Sequence, residues 1–104
     1  MTTQVAETIL QQLGGGRFRA MTGARDFLAL SNGTGLSFKL PGTPGFVRDG
    51  INYVRVNLDA TDTYTMEFCR VRAGKMTTKA ERSGLYAMDL QHTFRSITGL
   101  DTFL

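Results

Sequence analysis

The feature that most constrains the fold is an alternation of apolar and polar residues between positions 51 and 71. Successive side chains of a β-strand point to opposite faces, so this pattern predicts two antiparallel strands at 51–58 and 63–71. Pairing Leu58 with Asp62 keeps the apolar residues on one face, whereas a slip by one residue would place Val54 opposite Glu67. The residues predicted to share that face are Val54, Val56, Leu58, Tyr64, Met66 and Phe68.

The alternation cannot continue unchanged beyond Phe68. It would point Arg70 and Arg72 into the core, so we expect a β-bulge near Cys69 that turns Val71 inward. On the polar face of the same pair, Arg55 and Glu67 are predicted to form a diagonal ion pair.

Shorter alternating segments predict further strands at 17–21, 25–31 and 36–40. The turn residues at 32–35 join the last two of these strands into a hairpin. A loop at 41–45 holds both prolines. After Gly74, residues 75–81 are compatible with a weak edge strand.

Helical spacing is found at the two ends of the sequence. Val5, Ile9 and Leu13 predict a helix over residues 3–13, which Thr2 or Thr3 caps and the glycine triplet at 14–16 ends. A second helix is predicted to begin at Ser83 and to end at Gly99. Its apolar stripe consists of Tyr86, Leu90, Phe94 and Ile97.

Strands in succession between two terminal helices indicate an α+β fold. We expect one domain over residues 1–104, an antiparallel β-meander of five or six strands with the N-terminal and C-terminal helices packed on one face. A small closed barrel with flanking helices is the alternative. The predicted core comprises Ile9, Leu13, Phe18, Leu28, Leu36, Phe38, Val54, Val56, Tyr64, Met66, Phe68, Leu90, Phe94 and Ile97.

Composition narrows the chemistry that the chain can perform. One cysteine and one histidine exclude an intrachain disulfide, a Cys-rich zinc site and a His-pair metal site. We therefore expect no metal, no cofactor and no catalysis. His92 is interpreted as a solvated helix residue near Asp89, and Cys69 as a structural thiol, with a reactive thiolate beside Arg70 as the alternative.

Two carboxylates, Asp59 and Asp62, lie between the predicted strands at 51–58 and 63–71. They are interpreted as turn formers rather than as metal ligands, because Asp side chains commonly bond their own backbone. The longest uninterrupted apolar stretch is 27–30, far short of a membrane span, and the first thirteen residues are too polar for a signal peptide. The sequence thus predicts a soluble, unexported protein.

Arginine is the one compositional bias. The net charge is only +3, yet nine of the twelve basic residues are arginines, whose guanidinium groups suit phosphates and stack on aromatic rings and bases. Either these arginines pair with the acidic residues and solvate the sheet, or some of them form a basic patch near Tyr53 that binds nucleic acid. The candidate patch consists of Arg17, Arg19, Arg55, Arg70 and Arg72.

Several phrases together resemble a group of short uncharacterised proteins encoded by tailed bacteriophages and prophages. They are TILQQLGG at 8–15, RF at 17–18, AMTGA at 20–24, DGINYV at 49–54 and TGL at 98–100. The resemblance covers most of the chain apart from the proline loop. It implies a phage or mobile-element protein acting in a bacterial cytoplasm, and it assigns no site residues.

The sequence therefore predicts a non-catalytic phage-type accessory protein that binds nucleic acid or a nucleic-acid-bound complex. The alternative is a protein-binding inhibitor of a host or anti-phage defence factor, which would use an exposed apolar edge and the tail residues Phe103 and Leu104. A homo-oligomer is compatible with either function, and no membrane partner is expected. An enzyme would require a pocket that brings His92 or Cys69 together with an acid.

Overall fold

The computed structural model describes residues 4–30, 34–41, 47 and 50–100. Two helices come first, α1 (Gln4–Leu13) and α2 (Gly15–Thr22). Five strands follow, and the last part is a 3-10 turn (Ala87–Asp89) that leads into α3 (Leu90–Thr98). The strands are β1 (Arg25–Ala29), β2 (Gly35–Lys39), β3 (Tyr53–Leu58), β4 (Tyr64–Arg72) and β5 (Lys75–Leu85).

The five strands form one antiparallel sheet in the order β1-β2-β3-β4-β5. This α+β meander is the predicted fold class. Because β1 and β5 are the two edges of the sheet, the described residues form an open sheet and not a closed barrel. In that part of the chain no helix is long and apolar enough to cross a membrane.

The β3–β4 pair has the predicted faces but a different pairing. Leu58 lies opposite Tyr64 rather than Asp62, a shift of two residues that leaves every side chain on its predicted face. The intervening turn is therefore longer than expected: the Asp59 N–H bonds the Thr63 carbonyl at 2.8 Å. Arg55 consequently lies directly opposite Glu67, and not on a diagonal.

The core lies between the sheet and the helices. Its centre is a group of phenylalanines: the rings of Phe18, Phe38 and Phe94 have centroids 5.0–6.2 Å apart. Phe68 joins them at 6.3 Å from Phe94. α1 contributes the fully buried Ile9 and Leu13.

The core prediction fails at Leu28, which is 65% exposed, and Ile97 is only half-buried. A bulge between Arg25 and Leu28 is the physical reason for the first error. Asp26 adopts φ 56°, which changes the phase of β1, so that Leu28 lies opposite Ser37 on the face away from the helices. Phe27 packs against the core instead.

Residues 17–21 were predicted as a strand, and they belong to helix α2. Gly14 ends α1, but Gly15 and Gly16 already begin α2, so the glycine triplet separates two helices. Within α2, Phe18 and Thr22 are buried four residues apart, and the Thr22 hydroxyl donates to the Phe18 carbonyl at 2.6 Å.

The last strand is longer than predicted and the last helix is shorter. β5 extends to Leu85, so Ser83 lies in a strand and cannot cap a helix. The Asp89 carboxylate accepts the Tyr86 N–H at 3.0 Å ahead of α3. Tyr86, predicted to begin the apolar stripe of this helix, therefore lies before the helix and is 63% exposed. Gly99 ends the helix as predicted, with φ 79°.

A register shift lies at the predicted place, next to Cys69, but the bulge is not in β4 as predicted, because the extra residue belongs to the partner strand. Phe68 pairs with Ala80 while Cys69 pairs with Thr78, so β5 accommodates the additional residue. Because β4 keeps its alternation, Val71 does not turn inward and is 42% exposed.

Four sequence predictions fall outside the described residues. They are the cap at Thr2 or Thr3, the first two residues of the turn at 32–35, the proline loop beyond Pro41 and the tail at 101–104.

Candidate functional site

The sheet face opposite the helices, called the open face below, carries the polar partners of the alternating strands. Cross-strand pairing aligns Arg25 of β1, Lys39 of β2 and Tyr53 of β3 in one row across the sheet. Arg55 and Glu67 lie one pleat further along β3 and β4. The open face therefore combines cations, an acid and an aromatic ring.

A groove of about 520 Å³ lies on this face, within the range of roughly 300–1,000 Å³ that small-molecule sites occupy. Arg25, Lys39 and Arg55 line it together with Tyr53, and Val71 and Met76 of the β4–β5 hairpin complete an apolar wall. The groove is thus cationic on one side and apolar on the other, with Tyr53 between them in the strand order.

The Arg55 side chain is held in place at the groove. Its Nη2 donates to the Glu67 Oε2 at 3.1 Å, and about a third of each side chain is exposed. The Arg55 Nε is buried and has no hydrogen-bond partner among the described residues. Arg55 thus has one charge partner, which fixes its position and neutralises part of its charge.

Asn52 fixes the place where β3 begins and β4 ends. Its side-chain amide donates to the Val71 carbonyl at 2.9 Å, and its side-chain oxygen accepts the Val71 N–H at 2.7 Å. The Asn52 N–H also donates to the Cys69 carbonyl at 3.0 Å. These three bonds attach Tyr53, the next residue, to the strand that carries the apolar wall.

Two further cations, Arg72 and Lys75, lie near the groove but do not line it. They are cross-strand partners at the hairpin tip, and each follows or precedes a lining residue, Val71 or Met76, so strand alternation directs their side chains to the other face. Lys39 pairs with Asp26 at 3.7 Å, and both side chains are more than half exposed. Arg25 has no acidic partner among the described residues within salt-bridge distance. A surface pair as exposed as Lys39–Asp26 is weak, so Lys39 is free to change partner.

The structure separates the five arginines of the predicted patch. Arg55 lines the groove and Arg72 lies at the hairpin tip. Arg17 and Arg19 are exposed on α2, not on a strand, and the Arg19 guanidinium lies 5.3 Å from the centre of the Phe27 ring. Arg70 lies against Gly50, where an added Cβ would come within 3.2 Å of the Arg70 Nε.

Sequence reasoning missed Arg25 and Lys39 as site residues. Arg25 is the cross-strand partner of Lys39, and Lys39 is the cross-strand partner of Tyr53. The proximity of both cations to Tyr53 therefore depends on the register of β1, β2 and β3. That register includes the Asp26 bulge, for which the sequence carries no strong turn signal.

The residues considered for catalysis occupy separate places. Cys69 is buried and its Sγ lies 3.9 Å from the Thr78 hydroxyl. Burial raises the pKa of the Cys69 thiol above its ordinary value, outweighing the Thr78 hydrogen bond and the positive charge of Arg55. His92 is exposed on α3. Across the described ranges, no three His, Cys, Asp or Glu side chains are placed to hold a metal ion.

Asp59 lies in the turn between β3 and β4, where its carboxylate bonds neighbouring side chains rather than its own backbone. Its carboxylate accepts the Thr65 hydroxyl at 2.6 Å and the Asn57 amide at 3.4 Å. Asp62 adopts φ 64° in the same turn, and its N–H donates to the Asp59 carbonyl. These bonds engage Asp59 in closing the turn between β3 and β4.

Comparison with known proteins found no match to this chain. No family model matches it, and neither a curated protein nor a solved structure is significantly similar to it.

Proposed function

We propose that this protein is a non-catalytic binding protein whose open face binds nucleic acid. The observation that carries the proposal is the placement of three cations, Arg25, Lys39 and Arg55, around Tyr53 in one groove. Cationic grooves with an aromatic ring bind nucleic acids by contacting the phosphates and stacking on the bases.

The charges support a contact with phosphates. Three cations, Arg25, Lys39 and Arg55, line the groove, against the two acids Asp26 and Glu67 that pair with Lys39 and Arg55. Arg25 is the strongest candidate for a phosphate contact, since no described acid neutralises it. Phosphate contacts of this kind release counterions, so the affinity should fall steeply as salt rises.

The proposal includes the biological context that the sequence resemblance implies. The protein would be an accessory factor of a bacteriophage or prophage, acting in the bacterial cytoplasm on nucleic acid or on a complex already bound to it. In this setting the groove would supply a direct contact with the nucleic acid.

The test is a titration of the protein against fluorescently labelled single-stranded and double-stranded oligonucleotides over a salt series. We expect binding at low salt, and a logarithm of the affinity that declines linearly with the logarithm of the salt concentration. Arg25→Gln should weaken binding roughly three- to tenfold at low salt and reduce the salt slope by roughly one unit.

Arg82→Gln is the matched control. It removes the same charge from β5 opposite Met66, away from the groove, and Arg82 is already bonded to the Glu81 carbonyl at 2.8 Å. It should leave the affinity unchanged. Absence of binding at low salt would refute the proposal, and a larger loss with Arg17→Gln than with Arg25→Gln would move the interface to α2.

A second candidate function, a protein-binding inhibitor of a host or defence factor, is favoured by a different surface. Tyr86 and Met88 are 63% and 85% exposed where the chain leaves the edge strand β5. Exposed apolar side chains beside an unpaired strand edge are typical of protein interfaces. Tyr86→Ser together with Met88→Ser should abolish capture of a protein from nuclease-treated bacterial lysate if this function is correct, whereas Arg25→Gln should not.

A further inference from the structure

The residues that line the groove differ in chemistry, and this difference indicates which form of nucleic acid the groove fits. Tyr53 is half-buried, with Lys39 as its cross-strand neighbour on one side and Cys69 on the other. Val71 and Met76, which pair with each other across the β4–β5 hairpin, add apolar surface. One part of the groove suits a flat apolar group and the other suits an anion.

From this arrangement, we propose that the groove holds one unpaired base of a single strand, stacked on Tyr53 and flanked by Val71 and Met76. The phosphates next to that base would contact Arg25 and Lys39. This inference rests on the proposed nucleic-acid function and names the form of nucleic acid that the groove selects.

A duplex does not fit the same arrangement. In a duplex the faces of the bases are stacked on their neighbours, so a ring at the floor of a groove reaches them only if a base leaves the stack. A single strand presents its base faces freely, and aromatic side chains bind them with little dependence on sequence. The half-buried position of Tyr53 therefore favours a single strand.

The groove is also held in a fixed shape before any ligand arrives. The two Asn52–Val71 bonds lock the ends of β3 and β4 together, and the Arg55–Glu67 pair spans the same two strands. The part of the groove that carries Tyr53 and Val71 then loses little conformational entropy when a base enters, which strengthens binding for a given contact area. Asn52 and Glu67 act as positioning residues, since neither is required to touch the base.

The experiment compares a labelled oligothymidylate, a duplex of the same length and free thymidine monophosphate at one low salt concentration. We expect the single strand to bind more tightly than the duplex. It should also bind more tightly than the mononucleotide, because only the strand presents neighbouring phosphates to Arg25 and Lys39. Equal affinity for strand and duplex, or for strand and mononucleotide, would overturn the inference.

Variants of the two partly exposed tyrosines identify the stacking residue. Tyr53→Leu should weaken binding of the single strand roughly five- to hundredfold, the range found for loss of one stacked base. Tyr53→Phe retains the ring and should bind within roughly twofold of the wild type, which also controls for folding. Tyr86→Leu, the matched control, should not change the affinity.

Tyrosine fluorescence gives a readout that a purely structural role for Tyr53 would not produce. The chain has three tyrosines and no tryptophan. Stacking of thymine on Tyr53 should quench tyrosine emission in the wild type and in Tyr86→Phe. The quenching should be lost in Tyr53→Phe although that variant still binds.

The outcomes separate the two proposals. If the oligothymidylate binds and Arg25→Gln weakens it while Tyr53→Leu does not, nucleic-acid binding stands and base stacking on Tyr53 is refuted. If no oligonucleotide binds at low salt, both are refuted.

Discussion

The two faces of the sheet are formed by the same strands but differ in which side chains they carry and in what those side chains contact. On the face covered by the helices, Phe38, Val54 and Phe68 are fully buried in an apolar core. On the open face, Lys39 and Arg55 come from the same strands as those residues and form ion pairs and a groove. The covered face requires only that its residues be apolar and of suitable size, whereas the open face requires particular residues to be neighbours.

The largest expected effect tests the covered face directly. Phe38→Ala should lower the free energy of unfolding by about 3–5 kcal/mol, because it leaves a cavity among packed rings. The ring centroids of Phe18 and Phe27 lie 5.3 and 5.4 Å from that of Phe38. Leu28→Ala on the open face should change the free energy by no more than about 0.5 kcal/mol. Urea unfolding of both variants measures the difference.

Equal costs for the Phe38 and Leu28 substitutions would contradict the assignment of the two faces. The same outcome would contradict the β1 bulge at Asp26, since a regular β1 would bury Leu28 and expose Phe27.

The next prediction concerns one tightly packed point on the open face. An added Cβ on Gly35 would lie 2.4 Å from the Val56 carbonyl oxygen and 2.5 Å from the Leu30 Cδ1, so Gly35→Ala should cost about 1–3 kcal/mol. Gly16 in α2 has no atom within 4 Å of an added Cβ. Gly16→Ala should therefore stabilise the protein by about 0.4–1 kcal/mol, because it restricts the unfolded chain.

Thermal and urea unfolding measure the change in the free energy of unfolding for each substitution. A decrease for Gly35→Ala and an increase for Gly16→Ala would confirm the close backbone approach at Gly35. A Gly35→Ala protein as stable as the wild type would mean that β2 and β3 are further apart than the structure places them.

The covered face could be predicted from the sequence to a large extent. The alternation in β3 and β4 is long enough to assign every residue to a face, and the faces remain correct although the pairing differs by two residues. α2 was missed because the five-residue alternation at 17–21 is equally compatible with a helix whose buried residues are Gly15, Phe18 and Thr22. β5 was predicted too short because most of its side chains are exposed, so that hydrophobic periodicity gives no signal there.

The open face could be predicted only in part. The Arg55–Glu67 contact could be predicted because both residues lie in β3 and β4, the strand pair whose two faces the alternation defines. The groove could not be predicted, since it forms only when Arg25 and Lys39 are aligned with Tyr53 across three strands. That alignment includes the bulge at Asp26. The hydrophobic periodicity of the sequence does not indicate that this one residue adopts a left-handed conformation.

A smaller effect is expected from the ion pairs of the open face. A double-mutant cycle with Arg55→Gln and Glu67→Gln should give a coupling energy of about 0.5–1 kcal/mol, because the pair is two-thirds buried and short. The comparison pair is Lys39 and Asp26, which is longer and more exposed. A cycle with Lys39→Gln and Asp26→Asn should give less than about 0.5 kcal/mol. Asn is chosen because it tolerates the positive φ at that position.

Urea unfolding at low and at high salt measures both cycles. We expect added salt to abolish the Lys39–Asp26 coupling and to reduce the Arg55–Glu67 coupling only partly, since partly buried charges are screened less. A weaker coupling for Arg55–Glu67 than for Lys39–Asp26 would contradict the fixed position of Arg55 at the groove.

The smallest expected effect is a pH dependence from the buried thiol of the open face. Burial raises the pKa of Cys69 in the folded protein, whereas in the unfolded chain the pKa returns to the ordinary value of a cysteine thiol. At a pH between the unfolded and the folded pKa, the thiol is protonated in the folded protein and largely ionised in the unfolded chain. Unfolding therefore releases a proton in this pH range. The contribution to stability is therefore complete below the ordinary pKa and declines as pH rises above it. The free energy of unfolding of the wild type should fall more steeply between neutral and alkaline pH than that of Cys69→Ala, while parallel pH curves would contradict a desolvated thiol beneath the open face.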